Sequence, residues 1–266
     1  MIFKLKVKIF LVLVFLMIGG TSQEARAVLP LSQDPASAST SVRYLLIGDS
    51  FMDTYSPVGD LLKKTLVGYA SSSVIRFGKV SSGLARPDFF DWSKKAQELV
   101  QAYQPNVVVV MLGANDDQNL KVTGTDGQKR YLTFGSLAWE EEYGRRVASL
   151  IKTFQDRGSL VFWVGMPITR DLNRFSRYTK VNIVCQKQAN QLTGAYYIST
   201  WRLLSNSQGD YLGFLPDAKG KYQPTHAPDG IHLSFFAGGL LVKKIIGQIE
   251  VSLLQATAKW HILSSK

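Results

Sequence analysis

The chain has 266 residues, a formal net charge of +11 and one cysteine, Cys185. One cysteine excludes an intramolecular disulfide, and three histidines with no Cys/His cluster at ligand spacing give no basis for a metal or a cofactor. The basic residues are scattered rather than run together, which argues against nucleic acid and suits an anionic glycan or a membrane surface.

Lys4, Lys6 and Lys8 precede an apolar run over residues 9–18, and Ala25-Arg26-Ala27 follows as a small-x-small cleavage site. These are the parts of a secretory signal peptide, read as residues 1–27. The run is shorter than the roughly 20 residues a membrane span takes. The expectation is an exported protein, periplasmic or secreted, with an uncleaved N-terminal anchor as the alternative. Residues 28–41, rich in Ser, Ala and Pro, read as a flexible linker, and residues 42–266 as the folded domain. Cleavage would leave a charge of about +8 on the mature chain. The 45% hydrophobic content supplies a core that needs no disulfide.

Residues 43–47 form a short apolar strand that runs into Gly48-Asp49-Ser50. Helical spacing follows over 57–69, with Pro57 suited to the first turn, then strand alternation over 74–80 and a helix over 87–103. Residues 106–112 are a continuous β-branched run, which implies a strand buried on both faces. It ends in Gly113-Ala114-Asn115-Asp116-Asp117. Residues 121–130 read as a surface loop or small hairpin, 139–157 as an amphipathic helix, and 159–166 as another buried strand. A helix over 182–192 and a strand over 195–199 lead into a long loop, 205–225, and a closing helix spans 233–254. Strand and helix alternating five times predict a five-stranded, mainly parallel sheet in a three-layer α/β/α sandwich, flavodoxin-like in layout. Ligands bind such sheets at the carboxyl ends of the strands. The clusters at 48–50, 113–117 and 229–232 follow strands one, three and five, so they share that edge.

Asp229-Gly230-Ile231-His232 puts a carboxylate and an imidazole in one turn, where the acid can orient the base. The missing nucleophile is Ser50. Alone, a serine between a strand and a helix reads as a helix cap; with Asp229 and His232 in chain order it reads as a serine hydrolase or acyltransferase. Cys185, in an apolar stretch, is expected to be buried and inert.

Four blocks resemble those of the SGNH (GDSL-type) hydrolases. They are Gly48-Asp49-Ser50, with Phe51 where the family's leucine stands, the isolated Gly83, Gly113-Ala114-Asn115-Asp116, and Asp229-Gly230-Ile231-His232. The stretch from Ser81 to Asp88 further resembles an exported bacterial branch of that superfamily. Gly48-x-Ser50-x-Met52 lacks the second glycine of the α/β-hydrolase elbow. The resemblance implies Ser50 as nucleophile, His232 as base and Asp229 as its orienter. It implies an oxyanion hole from the Ser50 and Gly83 N–H groups and the Asn115 amide. Arg86, Asp116 and His226 are candidate substrate-binding residues, His226 being read as a substrate-loop or surface histidine. Tyr211, Phe214 and Tyr222 are aromatics that either stack on sugars or anchor the long loop. The expected function is an exported esterase removing acyl groups, acetyl foremost, from a cell-envelope carbohydrate or another small ester. The alternatives are an O-acyltransferase using the same acyl-serine, and a non-catalytic glycan-binding module.

Overall fold

The structure is a computed structural model that describes residues 41–264, with side-chain surroundings through residue 256. The expected signal peptide and all of the expected linker but residue 41 lie outside the described residues.

Strands β1 (Val42–Gly48), β2 (Ser72–Gly78) and β3 (Val107–Met111) alternate with helices α1 (Pro57–Val67) and α2 (Trp92–Tyr103). A small antiparallel hairpin follows, β4 (Leu120–Thr123) with β5 (Lys129–Leu132). Next come α3 (Leu137–Gln155), β6 (Leu160–Val164), α4 (Leu172–Gln191) and β7 (Ala195–Ile198). A second hairpin, β8 (Phe214–Pro216) with β9 (Tyr222–Pro224), precedes the closing helix α5 (Phe235–Ser264). The five long strands form one sheet in the order β2-β1-β3-β6-β7, every neighbouring pair parallel.

Alternation along each strand divides the core in two. Leu46, Val107, Val109 and Phe162 face one layer with the apolar stripes of α1 and α5; Leu45, Ile47, Val108, Val110 and Trp163 face the other with α2, α3 and α4. All five side chains of β3 are buried, as a Val-rich strand covered on both faces requires. Each such aliphatic side chain contributes about 1.5–3 kcal/mol on burial. This is the expected three-layer α/β/α sandwich. The chain leaves β1 toward β2 and returns to its other side at β3, so the loops after β1 and β3 diverge at a switch point, the place where α/β sheets bind ligands.

Two element boundaries differ from expectation. Helix α2 starts at Trp92, not at residue 87, because the Arg86 carbonyl accepts the Phe89 and Phe90 amides in a separate turn and the Asp91 side chain then caps the helix at Lys94 N. Phe89, in that separate turn, is exposed. Helix α4 starts at Leu172, ahead of residue 182. Its opening turns are mostly polar, with Leu172, Phe175 and Tyr178 thinly spaced among them, and Asp171 caps the start by accepting the Asn173 and Arg174 amides. The long loop contains the β8–β9 hairpin.

Candidate active site

β1 ends where Gly48 passes so close to β3 that a Cβ would collide with the Met111 carbonyl oxygen. The chain then turns sharply, the Met52 amide donating to the Asp49 carbonyl at 3.0 Å. The Asp49 side chain is fully buried and accepts from the Phe51 amide at 3.0 Å and the Ala114 amide at 3.1 Å. It ties the turn after β1 to the turn after β3. Burial pushes its pKa up to about 7 and the Asp116 charge adds to the rise, against the pull of the Phe51, Ala114 and Gly113 amides. Ser50 sits half-buried at the tip of this turn. Phe51, in place of the family's leucine, is buried with its ring centroid 5.1 Å from that of His232.

The partner loop is braced by backbone bonds. Ala227 N donates to His232 O at 2.8 Å, Gly230 N to Ala227 O at 2.9 Å, and His226 bridges Leu233. Within it, Asp229 Oδ1 accepts the Ile231 and His232 amides at 2.9 and 3.0 Å. Its Oδ2 lies 2.6 Å from His232 Nδ1, and His232 Nε2 lies 2.8 Å from Ser50 Oγ. A carboxylate accepts only, so Nδ1 carries the proton and Nε2 is left to accept the Ser50 hydroxyl. Partial burial raises the Asp229 pKa, but the His232 ring and the two amides outweigh it and hold it below the ordinary value.

Gly83 is buried, and a Cβ there would fall inside the Asp116 carboxylate. That contact corrects the reading of Asp116 as a substrate ligand. Its side chain has no exposure and accepts from Ala85 N at 2.7 Å and from the Tyr143 hydroxyl at 2.8 Å. Burial raises its pKa against those donors and the Arg146 charge. On the other end of the same peptide unit, Arg146 Nη1 donates to Leu84 O at 2.8 Å, while its Nη2 reaches Lys121 O at 3.1 Å. The 84–85 peptide is therefore gripped from both ends, directly beside Gly83. Asn115, half-buried, donates one Nδ2 hydrogen to Ser82 O at 2.9 Å and keeps a second. Tyr143 and Arg146 stand one turn apart on α3, and neither is marked by the motifs. The trace they leave in the sequence is that Tyr143 occupies a core position of the stripe Trp139, Tyr143, Val147 and Leu150.

A cleft of about 590 Å³ opens over Ser50 and His232, walled by Asp53, Tyr55, Val80, His226 and Phe235 among others. His226 lines this cleft but is not a surface residue. It is buried, with Nδ1 3.1 Å from Thr225 Oγ1 and 3.3 Å from the Tyr211 hydroxyl. Burial holds its pKa below the ordinary value, against the Ile168 carbonyl and the Asp229 charge. Arg86 does not reach the cleft lining: its guanidinium forks onto Asp88 at 2.8 and 3.1 Å on the open surface. Tyr211 anchors the loop against His226, whereas Phe214 and Tyr222 are exposed on the hairpin, outside the cleft lining. Cys185 is buried, and burial pushes its thiol pKa far up.

Solved structures share this architecture. TesA aligns with a TM-score of 0.51 over 77% of this chain and 96% of its own, at 20% identity. A GDSL-like lipase from Bacteroides thetaiotaomicron aligns with a TM-score of 0.52 over 81% and 91%, at 13% identity. LAE5, an alpha/beta hydrolase enzyme from the metagenome of Lake Arreo, Spain, aligns with a TM-score of 0.54 over 78% and 94%, at 14% identity. This chain shares its fold with these solved structures, and its four sequence blocks resemble those of the SGNH (GDSL-type) hydrolases. More narrowly, it belongs to the family described as Protein of unknown function (DUF459), which matches residues 43–248. No curated protein matches the sequence.

Proposed function

We propose that the protein is a serine esterase that removes a small acyl group, acetyl foremost, from a carbohydrate of the cell envelope. The observation that carries this reading is the relay from Ser50 Oγ to His232 Nε2 at 2.8 Å and from His232 Nδ1 to Asp229 Oδ2 at 2.6 Å. Ser50 Oγ attacks the ester carbonyl carbon as its proton passes to Nε2. The oxyanion is held by the Ser50 and Gly83 N–H groups and by the second Nδ2 hydrogen of Asn115. Collapse breaks the bond to the alcohol, which leaves with the proton from Nε2. Water then repeats the sequence on the acyl-serine and restores the hydroxyl. The imidazolium formed midway is stabilised by Asp229, whose lowered pKa keeps it charged.

The substrate assignment rests on the surroundings of Ser50. Tyr55 is 91% exposed at the cleft mouth and Phe235 flanks it, also exposed, so two aromatic faces stand ready for a sugar ring. Export rests on the charged, apolar and small-residue segments of residues 1–27, and the basic balance suits an acidic envelope polymer.

The test is a serine-directed fluorophosphonate on the purified full-length chain, together with 4-nitrophenyl acetate hydrolysis. Labelling is expected on Ser50, and Ser50→Ala is expected to abolish it and cut turnover by about 10⁴–10⁶ with the fold retained. Labelling or hydrolysis that survives Ser50→Ala overturns the assignment. Acetate released from an O-acetylated envelope glycan, in excess over transfer to an added glycan acceptor, separates hydrolysis from acyl transfer.

A further inference from the structure

A second cavity, of about 500 Å³, adjoins the catalytic loop on the Asp229 side and is lined by Arg170, Asp171, Arg174, Pro228, Asp229, Gly230 and Ile231. It shares Pro228 and Asp229 with the cleft over Ser50, so a molecule bound at the serine has this cavity as its neighbour. The charges around it are unequally occupied. Asp229 spends Oδ1 on two amides and Oδ2 on His232. Asp171 spends Oδ1 on the Asn173 and Arg174 amides as the cap of α4. Asp117, on the neighbouring turn, pairs with Arg177 at 3.0 Å.

The two guanidiniums are not so engaged. Arg174 lies over the Tyr178 ring, 5.7 Å from its centroid, and donates to that hydroxyl at 3.3 Å, a neutral acceptor. Its pKa is raised by the Tyr178 hydroxyl first and by the Asp117 and Asp171 charges, against partial burial, yet it forms no ion pair among the described residues. Arg170 is exposed and likewise forms no ion pair among them, as is also true of Arg43, Arg157 and Arg202, but Arg170 and Arg174 are the two arginines that line this cavity. Stacking on Tyr178 fixes the Arg174 fork at little further entropy cost, and a planar fork matches a carboxylate or phosphate through paired hydrogen bonds.

We infer that the Arg170–Arg174 cavity is an anion subsite of the active centre, taking a carboxylate or phosphate group carried by the ester substrate. This deepens the esterase reading and rests on it for the word substrate; the anion binding itself does not. The anion has two sources, the acyl half of the ester or the alcohol half.

Binding is measured first, by calorimetry on the full-length Ser50→Ala chain with monomethyl succinate, methyl glucuronoside and inorganic phosphate, each against methyl glucoside as the neutral control. An anion is expected to bind at least about tenfold tighter than the control, to lose that margin in Ser50→Ala/Arg170→Gln/Arg174→Gln, and to recover part of it with Arg174→Lys. The margin should also shrink between 50 and 500 mM salt, as screening requires. Turnover with Ser50 present then separates the two sources. A preference for 4-nitrophenyl hemisuccinate over the acetate places the anion in the acyl half. A preference for O-acetylated methyl glucuronoside over the acetylated glucoside places it in the alcohol half. Anions that bind no better than the neutral control, or a margin that survives loss of both arginines, overturn the subsite. If neutral esters turn over equally in wild type and Ser50→Ala while the anion margin holds, the serine mechanism fails and the subsite stands.

Discussion

Three aspartates meet at one edge of the sheet and come to opposite states. Asp229 is 45% exposed on its side chain, holds its charge by one ring and two amides, and has its pKa lowered. Asp49 and Asp116 lie behind it with no exposure, and burial raises both. The difference separates work from support. A carboxylate that stabilises an imidazolium has to be charged and near solvent, while a carboxylate that fixes loops spends its oxygens on backbone and hydroxyl donors and bears the desolvation cost. Asp49 joins the β1 and β3 turns, and Asp116 joins the Gly83 loop to α3.

The sharpest break in that comparison comes from the exposed member. Asp229→Asn, nearly isosteric, is expected to lower kcat by about 10³–10⁴ while thermal melting stays close to wild type; a large loss of stability with a modest loss of rate would make Asp229 a support residue after all. Asn115→Ala, which removes the proposed oxyanion donor and one bond to Ser82, is expected to cost about 10²–10³ in kcat with KM little changed. Steady-state kinetics on one ester separates the two parameters.

The buried side is probed next through Arg146. Arg146→Gln leaves the Leu84 and Lys121 carbonyls short of a donor, and urea denaturation is expected to register about 1–3 kcal/mol, with kcat down about tenfold. Arg146→Lys, which keeps the charge without the fork, should fall between. Equal kcat in all three proteins would detach the clamp from catalysis.

The smallest effect is a slope. Asp49 titrates near 7 in the folded chain against an ordinary 3.8, so between those values the folded state holds a proton that the unfolded state has released. Its contribution therefore makes stability fall as pH rises from about 4 to about 7, by no more than about 1.4 kcal/mol per pH unit. Asp49→Asn should flatten that slope in denaturation curves taken across the range, whatever its offset, and an unchanged slope would assign the proton elsewhere.

Much of this was legible in the chain. The short β-branched run of β3 favours a covered strand, and Asp229-x-x-His232 closes its own hydrogen bond within one turn, so both are local facts. Asp116 was misread because adjacency to Asn115 says nothing of which way a carboxylate faces; that depends on Ala85 and Tyr143, 31 and 27 residues away. Arg146 and the early turns of α4 were missed for the converse reason. Their polar side chains read as solvated face, and only packing turned one of them, Arg146, inward.

The sequence by itself determined the alternation of strand and helix and the pairing of Asp229 with His232, because each is settled by neighbours within a few residues. Tertiary structure decided the rest. It closed the gap of 182 residues between Ser50 and His232, sank Asp49 and Asp116 beneath the rim, and left Arg170 and Arg174 beside it without ion-pair partners among the described residues. The physical reason is that burial and charge pairing belong to surfaces, and surfaces exist only once distant loops have met.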